Sequence, residues 1–279
     1  MLGKNAVWLI TGCSKGLGRA LARQALESGY RVVVSARDVS AVEDIVKEHP
    51  GVALAVQLDV TKPDEAKAAV RAAERQFGAV DVLVNNAGYG YLGAIEEGED
   101  AGVRAMFETN VFGTWNMIKA VLPGMRERGR GHVVNISSVG GLTTFPGVGF
   151  YHMAKFAVEE LSETLAKELA PFGLGVTVVE PGAFRTDFRG GSMKQSNVRL
   201  AAYADTVGKA RDGVTAAHGK QQGDPVLGGK AIIAALEADK PPLHLVLGGD
   251  ALDLIRSKLD DLGRELDTWE ELTRSTSFR

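Results

Sequence analysis

The chain has 279 residues, 45% of them hydrophobic, and a formal net charge of −3 with both signs interspersed. That is enough to bury a substantial core, it leaves no basic surface for nucleic acid, and with no linker, repeat or low-complexity segment it favours one domain over residues 1–279. The single cysteine, Cys13, excludes an internal disulfide and fits a reducing, cytoplasmic setting, and no stretch reaches the length of a membrane span.

Asn5 to Thr11 reads as a short apolar strand that runs into Gly12-Cys13-Ser14-Lys15-Gly16-Leu17-Gly18 and a helix with Leu17, Leu21, Ala25 and Leu26 on one side. Strand, glycine loop and helix make a phosphate-binding arrangement. Glycines admit a pyrophosphate close to the backbone, and the first-turn N–H groups with the helix dipole offset its charge. The spacing is Gly-x-x-x-Gly-x-Gly, not the commoner Gly-x-Gly-x-x-Gly. Cys13 is expected to be small filler inside this turn.

The alternation then repeats. Strands are expected at Arg31 to Ala36, Val52 to Leu58, Val80 to Val84, His132 to Ser137, Val176 to Glu180 and Leu243 to Leu247. Helices fall between them at Val39 to Glu48, Pro63 to Phe77, Asp100 to Arg128, from Tyr151 to a stop at Pro171 and Gly173, and at Val226 to Glu237. Near-continuous apolar strands separated by helices imply right-handed crossovers and an α/β, doubly wound Rossmann-type fold, a seven-stranded parallel sheet with helices on both faces. Residues 187–224, rich in Gly, Ser, Lys, Gln and Ala, read as a lid or functional loop over a substrate site. From about residue 250 to 279 the chain carries a C-terminal amphipathic helix interrupted near Gly263, which either packs on its own domain or makes a subunit contact.

Within this frame Tyr151 and Lys155 stand one helical turn apart and share a face. A fixed ammonium close to a phenol favours the phenolate and draws its pKa from about 10 toward neutrality, so the phenol can exchange a proton with a carbonyl oxygen or alcohol. Asn110 falls on the apolar stripe of the long helix and must be either a satisfied core amide or a site residue. The five histidines and Cys13 show no metal-ligand spacing, so no metal is expected, and His152 is expected to point away from the chemistry. No Gly-x-Ser-x-Gly elbow supports a hydrolase.

The glycine loop, Asn85-Asn86-Ala87-Gly88, Asn110, Ser137-Ser138, Tyr151 with Lys155, and Pro181-Gly182 occur in the order and spacing of the short-chain dehydrogenase/reductase family, which the first 190 or so residues resemble. The resemblance implies that Tyr151 is the general acid/base and that Ser138, thirteen residues earlier, holds the substrate oxygen. It implies that Lys155 contacts the nicotinamide ribose, that Asn110 helps hold a relay water, that Asp59, with Val60 beside it, serves the adenine, and that Thr186 serves the carboxamide. It also implies a homodimer or homotetramer through the long helices near 102–128 and 151–170. An enzyme interconverting a largely apolar ketone and its alcohol is the leading reading. A catalytically silent nucleotide-binding regulator and an epimerase or dehydratase of the extended relatives are the alternatives. The second strand ends Val34-Ser35-Ala36-Arg37, with alanine where NAD-preferring relatives place an acid and arginine next. With Lys15 in the glycine loop, this points to NADP(H), while Asp38 is an acid that could instead claim the ribose.

Overall fold

A computed structural model describes residues 3–278. Strands β1 (Val7–Ile10), β2 (Arg31–Ala36), β3 (Ala53–Gln57) and β4 (Val82–Asn85) alternate with helices α1 (Gly16–Glu27), α2 (Glu43–Glu48) and α3 (Pro63–Phe77). After the short strand β5 (Gly90–Leu92) come α4 (Asp100–Phe107) and α5 (Gly113–Arg128), β6 (His132–Ile136), α6 (Gly149–Leu169) and β7 (Gly175–Pro181). The chain ends with β8 (Met193–Gln195), α7 (Lys209–Ala216), α8 (Pro225–Glu237), β9 (His244–Leu247), α9 (Gly249–Thr268) and α10 (Glu270–Arg274). Seven strands form one parallel sheet in the order β3-β2-β1-β4-β6-β7-β9, as the repeated strand–helix pattern predicts.

Each central strand is apolar on both sides because each side meets a helical layer. Trp8 and Ile10 of β1 join Val32 and Val34 of β2 under α1 and α8, whereas Val7, Leu9, Val33 and Leu83 lie under α3, α5 and α6. The small residues Ala66, Ala69 and Ala73 let α3 lie close on the sheet. Strand order reverses between β1 and β4, so the loops after these strands diverge and open a crevice at the carboxyl edge.

Four local expectations are corrected. The helix expected over Asp100 to Arg128 is interrupted by a π-helical turn, Glu108–Phe112, which carries Asn110. The helix expected from Val39 begins as a 3₁₀ turn, Val39–Val42, capped by Asp38. Residues 187–224, expected as a loop with short helices, hold the short helix α7 but also a strand, β8, which pairs in parallel with β5, Gly90 opposite Met193. Finally, α9 runs unbroken through Gly263 and ends at Trp269. A single glycine costs a helix only about 1 kcal/mol, too little to break twenty residues.

Leu83 is wholly buried in the middle of the sheet. Leu83→Ala should cost about 2–5 kcal/mol in urea unfolding, the range for a leucine-sized cavity; a loss below about 1 kcal/mol would contradict this packing.

Candidate active site

Two loops at the strand reversal are fastened to each other. Thr11 Oγ1 accepts from the backbone N–H groups of Asn86 and Ala87, each at 2.9 Å, and Asn86 Nδ2 donates to the carbonyls of Thr11 at 2.8 Å and Gly12 at 3.1 Å. A Cβ on Gly18 would stand 2.2 Å from Asn86 Nδ2, and Gly12 adopts a φ of 71° with Ala87 Cα directly against it. These two glycines therefore serve loop-to-loop packing as well as access to the backbone. At the start of α1 the N-cap Lys15 is extended, no side chain caps the helix, and no acid sits in the first turn. Its first N–H groups remain available to an anion. Cys13 is buried and donates to the Ile10 carbonyl, and burial pushes its thiol up to about 12, so it is inert filler.

A cavity of about 770 Å³ opens over this edge. The structure brings to its wall Gly12, Ser14, Lys15, Gly16 and Leu17, then Arg37, Asp59 and Val60, then Asn86, Ala87 and Gly88. Ser138, Tyr151, Lys155, Pro181, Gly182 and Thr186 complete the wall. Gly18 lies beneath it. Asn110 is also behind the wall: its Oδ1 accepts from Tyr89 N–H at 3.0 Å and its Nδ2 donates to Tyr89 O at 2.9 Å, so its amide is spent on shaping the loop after β4.

Tyr151 and Lys155 project from the first turns of α6, both nearly fully buried. Lys155 Nζ donates to the Ile136 carbonyl at the end of β6 at 2.7 Å and stands 5.7 Å from the centre of the Tyr151 ring. Burial lowers the ammonium to about 8, while the charge of Glu159 one turn on opposes that fall. The Tyr151 phenol goes the other way. Burial raises it to about 12, and a hydrogen bond with Ser138 only partly offsets this. The expected drift of Tyr151 toward neutrality does not appear here: burial sets the direction, and Ser138 is the group that opposes it.

Of the two adjacent serines, Ser138 caps the short turn Val139–Gly141, accepting from Gly140 N–H at 3.0 Å, and engages the phenol. Ser137 Oγ instead faces Glu159. His152 does not point away: it lines the cavity beside Phe145, with Nδ1 3.4 Å from the Phe145 nitrogen, and burial lowers it to about 4, leaving it neutral at physiological pH.

At the far end of the cavity Arg37 is exposed and, among the described residues, makes no ion pair. Asp38 turns from the cavity to cap the 3₁₀ turn, accepting from Ser40 N–H at 3.0 Å and Ser40 Oγ at 2.7 Å. Asp59 accepts from Thr61 N–H and hydroxyl through one oxygen. Sequence reasoning missed Thr11 and Asp250, whose Oδ2 accepts from Ala183 N–H at 3.0 Å beside Gly182. Asp250 and Leu254 bring the first turn of α9 to the cavity wall, so the C-terminal helix begins packed on its own domain.

Comparison with known proteins agrees with this arrangement. The family model for short chain dehydrogenases matches residues 6–197. The chain belongs to that family, a class of oxidoreductases. It is 35% identical over 272 residues to oxidoreductase BOA17 of Botryotinia fuckeliana, covering 97% of this chain and 99% of that one. Human retinol dehydrogenase 8 is 40% identical over 205 residues, covering 71% of this chain and 64% of that protein. Among solved structures, a short-chain dehydrogenase from Streptomyces avermitilis superposes with a TM-score of 0.92 at 45% identity, covering 98% of this chain and 100% of the other. A Burkholderia phymatum short-chain dehydrogenase/reductase in complex with NAD gives a TM-score of 0.82 at 25% identity, covering 94% and 95%. No helix among the described residues is long and apolar enough to cross a membrane.

Gly18→Ala should force Asn86 off the Thr11 and Gly12 carbonyls. The expected result is a stability loss of about 1–3 kcal/mol, the usual range for overpacking, together with weakened dinucleotide binding by fluorescence titration. Unchanged melting and binding would refute the fastening role of Asn86.

Proposed function

We propose that this chain is an NADP(H)-dependent oxidoreductase that interconverts a largely apolar ketone and its secondary alcohol, with Tyr151 as general acid/base. The observation that carries the reading is a buried, Ser138-bonded phenol held beside a buried ammonium on the wall of one large cavity. The uncapped N-terminus of α1 and the glycine loop fit a pyrophosphate, and the free Arg37 and Lys15 fit a 2′-phosphate. Asp38 caps Ser40 and does not line the cavity. When bound, the nicotinamide supplies the hydride.

The protein's part is the proton. With its pKa raised, Tyr151 carries its proton at neutral pH, the form needed to protonate a carbonyl oxygen as the carbonyl carbon is reduced. Ser138 donates to the same oxygen as negative charge develops there, and Lys155 stabilises the phenolate left on Tyr151 while reaching the ribose. Asn110, its amide committed to Tyr89, acts on the site through the loop after β4.

Apolar walls support the substrate class. Leu92, Phe145, Val148, Phe184, Phe188 and Val214 line the cavity, whereas Tyr91 and Phe150 pack edge to face at 5.9 Å in a cluster behind it. The segment 187–224 acts as the lid, with the Phe188 ring 5.6 Å from that of Tyr151. We also infer a homodimer or homotetramer through α5 and α6, which expose Trp115, Met153 and Phe156, with Phe112 exposed just before α5.

Tyr151→Phe should lower turnover on the best ketone by roughly 10²- to 10⁴-fold while dinucleotide binding persists. In the wild type, ketone reduction should slow as pH rises through about 8, where Lys155 loses the charge that stabilises the phenolate. Near-normal rates in the variant would exclude this mechanism. Arg37→Ala should raise the KM for NADPH about ten- to a hundredfold and leave that for NADH nearly unchanged; equal losses with both would show that Arg37 does not read the phosphate.

A further inference from the structure

Outside the cavity the fold gathers a second set of chemical groups. In the parallel register of β7 and β9, Val178 pairs with His244 and Glu180 with Val246, so His244 and Glu180 project from the same face of the sheet. Helix α6 covers this face and adds Glu159 and, one turn on, Glu163. His244 Nδ1 lies 2.8 Å from Glu180 Oε1 and 3.8 Å from Glu159 Oε2, and the three ligand atoms all fall within 4.8 Å of one another.

This cluster is short of positive charge. Glu159 and Glu180 are 2% and 0% exposed, yet both oxygens of Glu159 and Oε2 of Glu180 lack a partner of hydrogen-bond geometry. The cationic groups around them are the half-exposed His244 and Lys155, whose Nζ is committed to Ile136, and the Ser137 hydroxyl faces Glu159. Two desolvated carboxylates with free lone pairs favour a proton or a metal cation held between them. An imidazole with two carboxylates is a donor set for borderline divalent metals, and the charge of two carboxylates balances a 2+ ion.

We propose that Glu159, Glu180 and His244 form a binding site for one divalent metal of the zinc type that ties the edge strand β9 to β7 and α6. Such a metal needs donors at about 2.0–2.2 Å, hence roughly 3.4 Å from one another, so by side-chain rotation Glu180 must draw back from His244 Nδ1 and Glu159 move in, each by about half an ångström. Glu163 Oε1, 3.6 Å from His244 Nε2, is placed to orient the imidazole from its other nitrogen, as carboxylates behind metal-bound histidines do. The exposed edge of His244 provides the entry path, and water completes the coordination. None of the three ligands lines the cofactor cavity, although Glu159 lies one turn from Lys155 and its charge reaches that ammonium.

The test uses the tag-free full-length chain, stripped with chelator and titrated with Co²⁺ as the probe. The expected result is one equivalent of Co²⁺ per chain with visible d–d absorption, displaced by Zn²⁺, and a Zn²⁺-dependent rise in melting temperature. His244→Ala, at a half-exposed position, should lose the absorption and the thermal shift while retaining dinucleotide binding, which shows that it is folded. Glu163→Gln should bind roughly 10- to 100-fold more weakly. Absence of stoichiometric uptake by the wild type would overturn the proposal and leave protons as the cations of the cluster. Equal uptake by His244→Ala would overturn it too.

Discussion

A buried ammonium is the constraint on which this molecule turns. Lys155 is almost without solvent, and a charge so placed survives only if it is bonded to a fixed acceptor. The Ile136 carbonyl is that acceptor, at the last residue of β6. One bond therefore fixes α6 against the carboxyl end of the sheet, which sets Tyr151 one turn before Lys155 and Ser138 two residues after Ile136. The placement of these three side chains follows from where a single cation can be satisfied.

The other half of the cavity depends on contact between neutral groups. Asn86 donates to Thr11 from both its backbone and its side chain across the strand reversal, and the missing side chains of Gly12 and Gly18 permit that approach. An uncapped helix start is tolerable at a carboxyl edge where an anion can complete it. The first N–H groups of α1 are thus left for water or an anionic ligand to complete.

Much of this was legible in the sequence because it lies in local patterns. Apolar runs gave the seven strands, and short spacings gave the glycine loop and the Tyr151–Lys155 pair. What escaped notice depends on distance in the chain or on competition between effects. Strands β5 and β8 have three residues each, too few for any period, and pair across a hundred positions. Thr11 reads as the end of a strand until Asn86 is beside it. Glu159, Glu180 and His244 share no spacing and meet only because β9 returns alongside β7. For Tyr151 the sequence supplies the neighbouring charge but not the burial, and burial decides the direction of its pKa.

The central claim is that hydride and proton meet on one substrate carbonyl at the Tyr151 end of the cavity. A single-turnover reduction of an aryl ketone with NADPH deuterated at the transferable position, read by mass spectrometry of the alcohol, tests it most directly. The account expects one deuterium on the carbinol carbon of every product molecule and none on its oxygen after exchange with water. Product without carbon-bound deuterium, or no product from any apolar ketone under conditions where the dinucleotide is bound, would contradict it.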